Sequence, residues 1–386
     1  MTARPIYLDY LATTPIAAEV KQAMLECLDV DAAYGNPASR THVYGWQAEH
    51  KVEVAREQLA QLIGADMREL VFTSGATEAN NLAIKGVFEA LHFEGHFITS
   101  AIEHKAVLDP ANYLQKKGVA VSFVPASKEG IVTVEAIERA VRPDTKLISV
   151  MYVNNELGTI NPIADIAAFA VSRGIAFHVD AAQAVGKVKI DLSSLPIDLM
   201  SISAHKFYGP KGIGALYIRR GVQPAPLAQV HGGGHERNFR SGTLATHQIA
   251  GMGAAAELAR VGWDQDQAHH QILGQRLLEG LLSIEGVVLN GSLEHRLPQV
   301  ANVSFQGVSG EALLAALAGI AVSSGSACNS ATMKPSHVLL GIGADRARAD
   351  SALRFSVGRP TVEADVEKAL AEVRSTIQAL RSPTLG

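Results

Sequence analysis

Four side chains of this 386-residue chain need a chemical explanation for where they stand: Lys206, Asp180, His104 and Cys328. Lys206 closes Ser201-Ile202-Ser203-Ala204-His205-Lys206, after the apolar residues 197–202. A glycine-rich turn, Gly209-Pro210-Lys211-Gly212-Ile213-Gly214, follows it. An ammonium at the end of a buried strand is costly unless it is paired or chemically used. Condensation with an aldehyde to a Schiff base is one such use. Ala176-Phe177-His178-Val179-Asp180 reads as a neighbouring strand that ends in an acid. A carboxylate there suits a protonated pyridine nitrogen and would make the ring a strong electron sink. A cap on residues 181–183 is the alternative. On this pairing Lys206 is the expected anchor of pyridoxal phosphate.

A phosphate needs its own cradle. The strand at residues 70–72 runs into Thr73-Ser74-Gly75-Ala76-Thr77-Glu78, and a helix is expected to residue 90. The first N–H groups of such a helix bind anions, although a helix capped by Thr77 alone would read the same way. His104 stands at a similar strand exit, and Asn154-Asn155-Glu156 ends another strand. The Gly209–Gly214 turn is neither a P-loop nor a dinucleotide fingerprint, because no GK[ST] closes it and a strand follows. In His231-Gly-Gly-Gly-His235-Glu236-Arg237 the glycines oppose a helix that would align the two histidines, so no resident metal is expected. Arg240-Ser241-Gly242-Thr243 is a compact set of anion donors. Cys328 lies in the Gly/Ser-rich stretch Ser323-Ser324-Gly325-Ser326-Ala327-Cys328-Asn329-Ser330, where a thiolate is reachable; an exposed cysteine of no consequence is the alternative. Cys27, on a helical stretch, reads as a small buried hydrophobe. Arg354, inside a strand, needs a partner: a substrate carboxylate or a fixed internal salt bridge.

The elements behind these residues alternate. Helices are expected over residues 17–28, 43–63, 76–90, 163–173, 245–260 and 264–282. Strands are expected over 70–72, 96–99, 119–125, 147–153, 176–180, 198–203 and 215–218. The alternation implies an α/β fold with a mostly parallel sheet of seven strands covered on both faces, its ligands at the carboxyl ends of the strands. From residue 287 the pattern changes to a smaller α+β unit: strands 287–289, 300–305 and 351–356, helices 310–318 and 361–380. Composition agrees with a large folded enzyme: 47% hydrophobic, 19% charged, net charge −4, and no basic block to bind nucleic acid directly. The longest apolar run, residues 312–322, is too short to cross a bilayer, the first residues lack a signal-peptide core, and two cysteines make no disulfide framework. A cytoplasmic protein is expected.

Taken together the motifs resemble the fold-type I pyridoxal phosphate enzymes, and within them the class I (NifS/IscS-type) cysteine desulfurases. The matching runs span nearly the whole chain: Tyr7-Leu-Asp-Tyr-Leu-Ala-Thr-Thr-Pro15, Gly35-Asn-Pro-Ala-Ser39, Phe72-Thr-Ser-Gly-Ala-Thr-Glu78, Glu103-His-Lys-Ala-Val107, Val153-Asn-Asn-Glu156, His178-Val-Asp-Ala-Ala-Gln183, His205-Lys206, Tyr208-Gly-Pro-Lys-Gly-Ile-Gly214, His231-Gly-Gly-Gly-His-Glu-Arg237, Arg240-Ser-Gly-Thr243, Ser323-Ser-Gly-Ser-Ala-Cys328 and Arg354-Phe-Ser356. The resemblance implies a large cofactor domain over residues 15–260, and a small domain of residues 1–14 and 261–386 carrying the cysteine loop. It implies that Lys206 would hold the cofactor and move the Cα proton, with His104 stacked on the ring and sharing in proton transfer. Asp180 would pair with the ring nitrogen and Gln183 with the ring oxygen. Ala76, Thr77, Ser203 and His205 would hold the phosphate, with Thr243 reaching it from the partner subunit of a homodimer. Asn155 would border both cofactor and substrate, and Arg354 with Asn155 would hold the carboxylate of L-cysteine. Cys328 would take the substrate sulfur as a persulfide, leave L-alanine, and pass the sulfur to an acceptor protein; it is also the one residue that could transiently ligate an iron–sulfur cluster. Housekeeping members of the family extend further than Arg381-Ser-Pro-Thr-Leu-Gly386, and that tail meets the iron–sulfur scaffold. Delivery to tRNA thiolation or DNA phosphorothioation is therefore the expected alternative to cluster assembly. Selenocysteine lysis, or another fold-type I reaction without a persulfide, is the alternative chemistry.

Overall fold

The computed structural model describes residues 4–324 and 335–382. The first half runs β1 (Ile6–Tyr7), α1 (Ala18–Leu25), α2 (Val43–Ile63), β2 (Leu70–Thr73), α3 (Ala76–Ala90), β3 (His96–Ser100), α4 (Lys105–Lys116), β4 (Ala120–Val124), α5 (Val134–Glu138), β5 (Thr145–Met151), α6 (Ile163–Arg173) and β6 (Ala176–Asp180). It continues through β7 (Leu199–Ser203), β8 (Gly214–Ile218), α7 (Thr246–Val261), α8 (Trp263–Leu282), β9 (Val287–Leu289), β10 (Val300–Phe305), α9 (Gly310–Ala316), β11 (Ile320–Ala321), β12 (Ser323–Ser324), α10 (His337–Gly341), α11 (Arg346–Asp350), β13 (Ala352–Ser356) and α12 (Glu363–Arg381).

Seven strands form one sheet in the order β2-β8-β7-β6-β5-β3-β4. β4, β3, β5, β6 and β7 are parallel, whereas β8 runs antiparallel to both β7 and β2. Strands covered on both faces read as unbroken apolar runs, and side chains of successive residues face opposite ways. Phe72, Ile98, Ile148 and Val179 accordingly join the core shared with α2, α6 and α7. Their neighbours Val71, Phe97 and Leu147 join the core shared with α3 and α4. Helix ends follow local rules: α2 and α6 stop at Gly64 and Gly174, both left-handed, a conformation that spares only glycine the Cβ penalty. A second sheet, β12-β13-β10-β9, is antiparallel and packs on α8, α9 and α12 through Leu277, Leu281, Val303, Phe355, Val366 and Val373. Leu8, from the N-terminal arm, is buried in this core too.

One local detail is added. The strand expected over 198–203 runs over Leu199–Ser203, and Lys206, expected at its end, closes a single 3-10 turn beyond it, Ala204–Lys206. That turn lets the chain reverse into β8. Gly214 lies in register with Ser203 on one side and Thr73 on the other. A Cβ there would come within 2.4 Å of the Ile202 carbonyl oxygen and 2.6 Å of the Gly75 Cα. Gly214→Ala is therefore expected to cost about 1–3 kcal/mol of stability and to weaken cofactor uptake, because the backbone it displaces is the entry to α3. Urea unfolding and a cofactor titration check both effects.

Candidate active site

A cavity of about 600 Å³ opens at the carboxyl ends of β2, β3, β5, β6 and β7. Its walls include Ala76, Thr77, His104, Asn155, Asp180, Gln183, Ser203, His205, Lys206 and Arg354. Among the described residues, every site residue expected from sequence is one of them except Thr243. Parallel strands explain the gathering, because each presents the residue after its last hydrogen bond to the same rim. The middle of the sheet is tied by His178, whose ring bridges Ser149 Oγ on β5 at 2.8 Å and Ser201 Oγ on β7 at 3.0 Å. Full burial pushes this histidine down to about 3, so it acts as a neutral strut.

At the centre, Lys206 Nζ donates to the carbonyls of Leu11 and Ala12, both at 2.8 Å. Gln183 Nε2 donates to the same Leu11 oxygen at 2.9 Å. Asp180 faces them from β6. Its two carboxylate oxygens accept from Asn80 Nδ2 at 2.7 Å and from the Ala182 N–H at 3.0 Å. The second bond is the cap expected as an alternative. It coexists with a carboxylate lining the cavity, so Asp180 is available for both tasks. Asn80 Oδ1 is buried with no partner among the described residues.

One end of the cavity suits an anion. Gly75 caps α3 without any side-chain bond, leaving the first-turn N–H groups of Ala76 and Thr77 for a ligand. His205 sits beside them with Nδ1 against Thr13 Oγ1 at 3.1 Å. Burial, helped by the charges of Lys206, Lys211 and Lys187, pushes it down to about 4, so it is a neutral hydrogen-bonding group. His104 caps α4: its Nδ1 accepts the Ala106 N–H at 3.0 Å, which assigns the ring proton of the neutral form to Nε2. Burial holds its pKa below the usual histidine value, against the attraction of Asp180.

The other end suits an α-amino acid. Arg354, on β13, donates through Nη2 to Asp9 Oδ1 at 2.7 Å and through Nη1 to the Asn155 carbonyl at 2.6 Å. The internal salt bridge is therefore real, but it does not use the whole guanidinium. Arg354 Nε and Asn155 Oδ1 are both buried without partners among the described residues. Glu156 lines the cavity here and accepts from Ser336 Oγ. Burial raises its carboxyl to about 7, against that bond and the nearby charge of Arg354. Glu103, one residue before His104, is raised by complete burial to about 8.

Pyridoxal phosphate fits this donor set. Uncapped helix N–H groups suit a phosphate, a lysine amine suits an aldehyde and a buried carboxylate suits a protonated ring nitrogen. The orphaned polar atoms of Arg354 and Asn155 remain for a substrate carboxylate and amine. Thr243 is exposed and lies away from this cavity. The loop before it is held by a buried bidentate pair, Arg56 Nη2 to Glu236 Oε1 at 2.8 Å and Nη1 to Oε2 at 2.9 Å. Glu236 also accepts the Phe72 N–H at 2.7 Å, and Glu236, Arg237 and Asn238 are all left-handed. Cys328 lies outside the described residues. Cys27 is buried, as its apolar setting implied. The sequence reading missed Asn80, Asp9, Glu103 and Lys187. A polar residue at a buried position of a helix, as Asn80 is on α3, was the one available signal.

The aminotransferase class-V family matches residues 6–369 of the chain. The cysteine desulfurase IscS of Acinetobacter baumannii (strain AYE) is 53% identical over 380 residues, covering 98% of this chain and 94% of that protein. Among solved structures, a NifS-like protein superposes with a TM-score of 0.90 at 37% identity, covering 97% of this chain and all of that one (100%). A structure of SspA in complex with cysteine superposes with a TM-score of 0.81 at 38% identity, covering 92% and 99%.

Proposed function

The chain belongs to the class-V aminotransferase family and is a cysteine desulfurase that depends on pyridoxal phosphate, and on that premise we propose how its own residues divide the work. The observation that carries the assignment is the convergence of Lys206, Asp180 and the uncapped start of α3 on one cavity whose far end holds the partly unpaired Arg354. Bound there, the cofactor supplies an electron sink for the carbon skeleton of L-cysteine. Ala76, Thr77, Ser203 and His205 hold its phosphate, Asp180 its ring nitrogen and Gln183 its ring oxygen. Arg354 Nε and Asn155 orient the substrate carboxylate, which turns binding energy into alignment of the reacting bonds. The Lys206 amine would take the Cα proton of the substrate and return it. His104 holds a proton at Nε2 toward the cavity, since its Nδ1 is engaged with the Ala106 N–H.

Cys328, assigned from sequence, attacks the substrate sulfur as thiolate. A sulfur–sulfur bond forms and the carbon–sulfur bond breaks, with its electron pair left on the carbon side. That carbon takes a proton and leaves as L-alanine, and Cys328 keeps the sulfur as a persulfide for an acceptor protein. Cluster assembly or thio-modification of tRNA or DNA is the destination. We assign the exposed Thr243 to the phosphate of a second copy, so that a homodimer completes two sites, and we divide the chain into a large domain of residues 15–260 and a small one of 1–14 plus 261–386. A cytoplasmic location without direct nucleic-acid binding accords with the net charge of −4. Among the described residues no helix is long and apolar enough to cross a membrane.

The test follows alanine and sulfide from L-cysteine in the presence of a thiol reductant. Cys328→Ala is expected to lose at least about 100-fold in sulfide release while keeping the yellow colour of bound cofactor. Undiminished sulfide release by Cys328→Ala would replace the persulfide route with a lyase reaction.

A further inference from the structure

We propose that Lys187 is a positioning residue for this reaction: its amine fixes the amide of Gln183 and, through the Leu11 carbonyl that Gln183 shares with Lys206, acts on the anchoring lysine. The inference deepens the functional reading above and rests on it.

The geometry is a chain of hydrogen bonds. Lys187 Nζ donates to Gln183 Oε1 at 3.2 Å and to the Gln183 carbonyl at 3.4 Å. Gln183 Nε2 donates to the Leu11 oxygen at 2.9 Å, and Lys206 Nζ donates to that oxygen at 2.8 Å. A carbonyl only accepts, so the Leu11 side must face the amide nitrogen. An ammonium or amine donor on the other side then faces the amide oxygen. Lys187 thus removes the alternative amide orientation. With both lone pairs of the Leu11 oxygen occupied, the second hydrogen of Gln183 Nε2 is left for the cavity, where the cofactor's ring oxygen belongs. Replacing Lys187 by an apolar residue would strip Oε1 of its partner inside the protein, the arrangement that costs most for a buried amide.

The same lysine acts through charge. Behind Lys206 lies a second cavity of about 20 Å³, lined by Tyr10, Lys187, Tyr208, Asp266, His270 and Arg359 among others. These are the titratable groups that face Lys187, together with Lys206 and His205. Asp266 and Arg359 neutralise each other through bonds of 2.6 to 2.9 Å. Burial pushes His270 down to about 4, and it stays neutral. Lys187 and Lys206 are left as two amines that oppose each other's charge. Burial first, and Lys206 second, push Lys187 down to about 7. A cation at Lys187 therefore disfavours a proton on the nitrogen of Lys206, and removing the lysine favours it.

The pH midpoint of the visible absorption band of the cofactor-loaded enzyme reads this directly, and a purely structural lysine would not move it. Lys187→Met and Lys187→Gln are expected to raise the midpoint by about half a unit or more, and Lys187→Arg, a permanent cation, to lower it. Lys187→Gln keeps a donor for Gln183 Oε1 without the charge, so it guards against a Met variant that fails to fold. Midpoints within about 0.2 unit of wild type in Lys187→Gln and Lys187→Arg, or shifts in the same direction in both, overturn the inference. A folded wild type that takes up no pyridoxal phosphate and shows no band overturns the functional reading, and this inference with it.

Discussion

Lys206→Ala is expected to lower turnover of L-cysteine by at least about 1,000-fold, because the proposed mechanism gives one side chain both the anchoring of the cofactor and the movement of the Cα proton. The fold should survive. The change removes two hydrogen bonds, to Leu11 and Ala12, but also an ammonium that is costly to keep away from water. Far-UV circular dichroism close to wild type would separate loss of chemistry from loss of structure. The variant should hold pyridoxal phosphate only by non-covalent contacts, so borohydride should no longer fix it to the protein. A small primary amine such as methylamine, added at high concentration, should recover part of the proton-transfer step. Retention of wild-type turnover would remove Lys206 from the reaction.

Asp180→Asn should lose about 100- to 1,000-fold in turnover while keeping covalently bound cofactor. An amide cannot match a carboxylate beside a protonated ring nitrogen, so the electron sink weakens. The substitution is also sterically mild but polar-mismatched. Both oxygens of Asp180 accept from fixed donors, Asn80 Nδ2 and the Ala182 N–H. Whichever way the new amide turns, its NH2 meets one of them. If Asp180 served only as a cap for residues 181–183, turnover would stay within about threefold of wild type and only stability would fall. Paired measurements of kcat and the urea midpoint distinguish the two roles.

Local pattern made much of this fold readable. The bounds of α2, α6 and β6 were expected where they stand, because apolar spacing and the glycines at 64 and 174 act within a few residues. The direction of β8 was not readable, since parallel and antiparallel neighbours differ in what lies across the sheet rather than in their own residues. The end of β7 was expected at Ser203, where it stands, but the turn after it was not readable for a related reason: the Ala204–Lys206 turn exists because β8 must return beside β7. For the site, residue types named what chemistry was present, and strand ends said where it gathers. The partners were hidden. Asn80 and Asp180 are 100 residues apart, and Asp9 and Arg354 are 345 apart. Neither pairing leaves a mark on spacing. Nor does a backbone carbonyl such as that of Leu11 announce that it will hold two side chains.

The N-terminal arm has a consequence for biosynthesis. Residues 6–14 are made well before almost everything they touch. Ile6 and Tyr7 pair with Ile320 and Ala321, Asp9 holds Arg354, Leu11 donates its N–H to Ser356 Oγ, and Thr13 and Thr14 meet His205. The α/β body can close on itself during translation, whereas the front of the arm must wait, unpaired, until residues 320–356 are made. A chain made only as far as β8 has the sheet and the lysine, and it still lacks Arg354, Ser356 and residues 320–321 that hold the front of the arm.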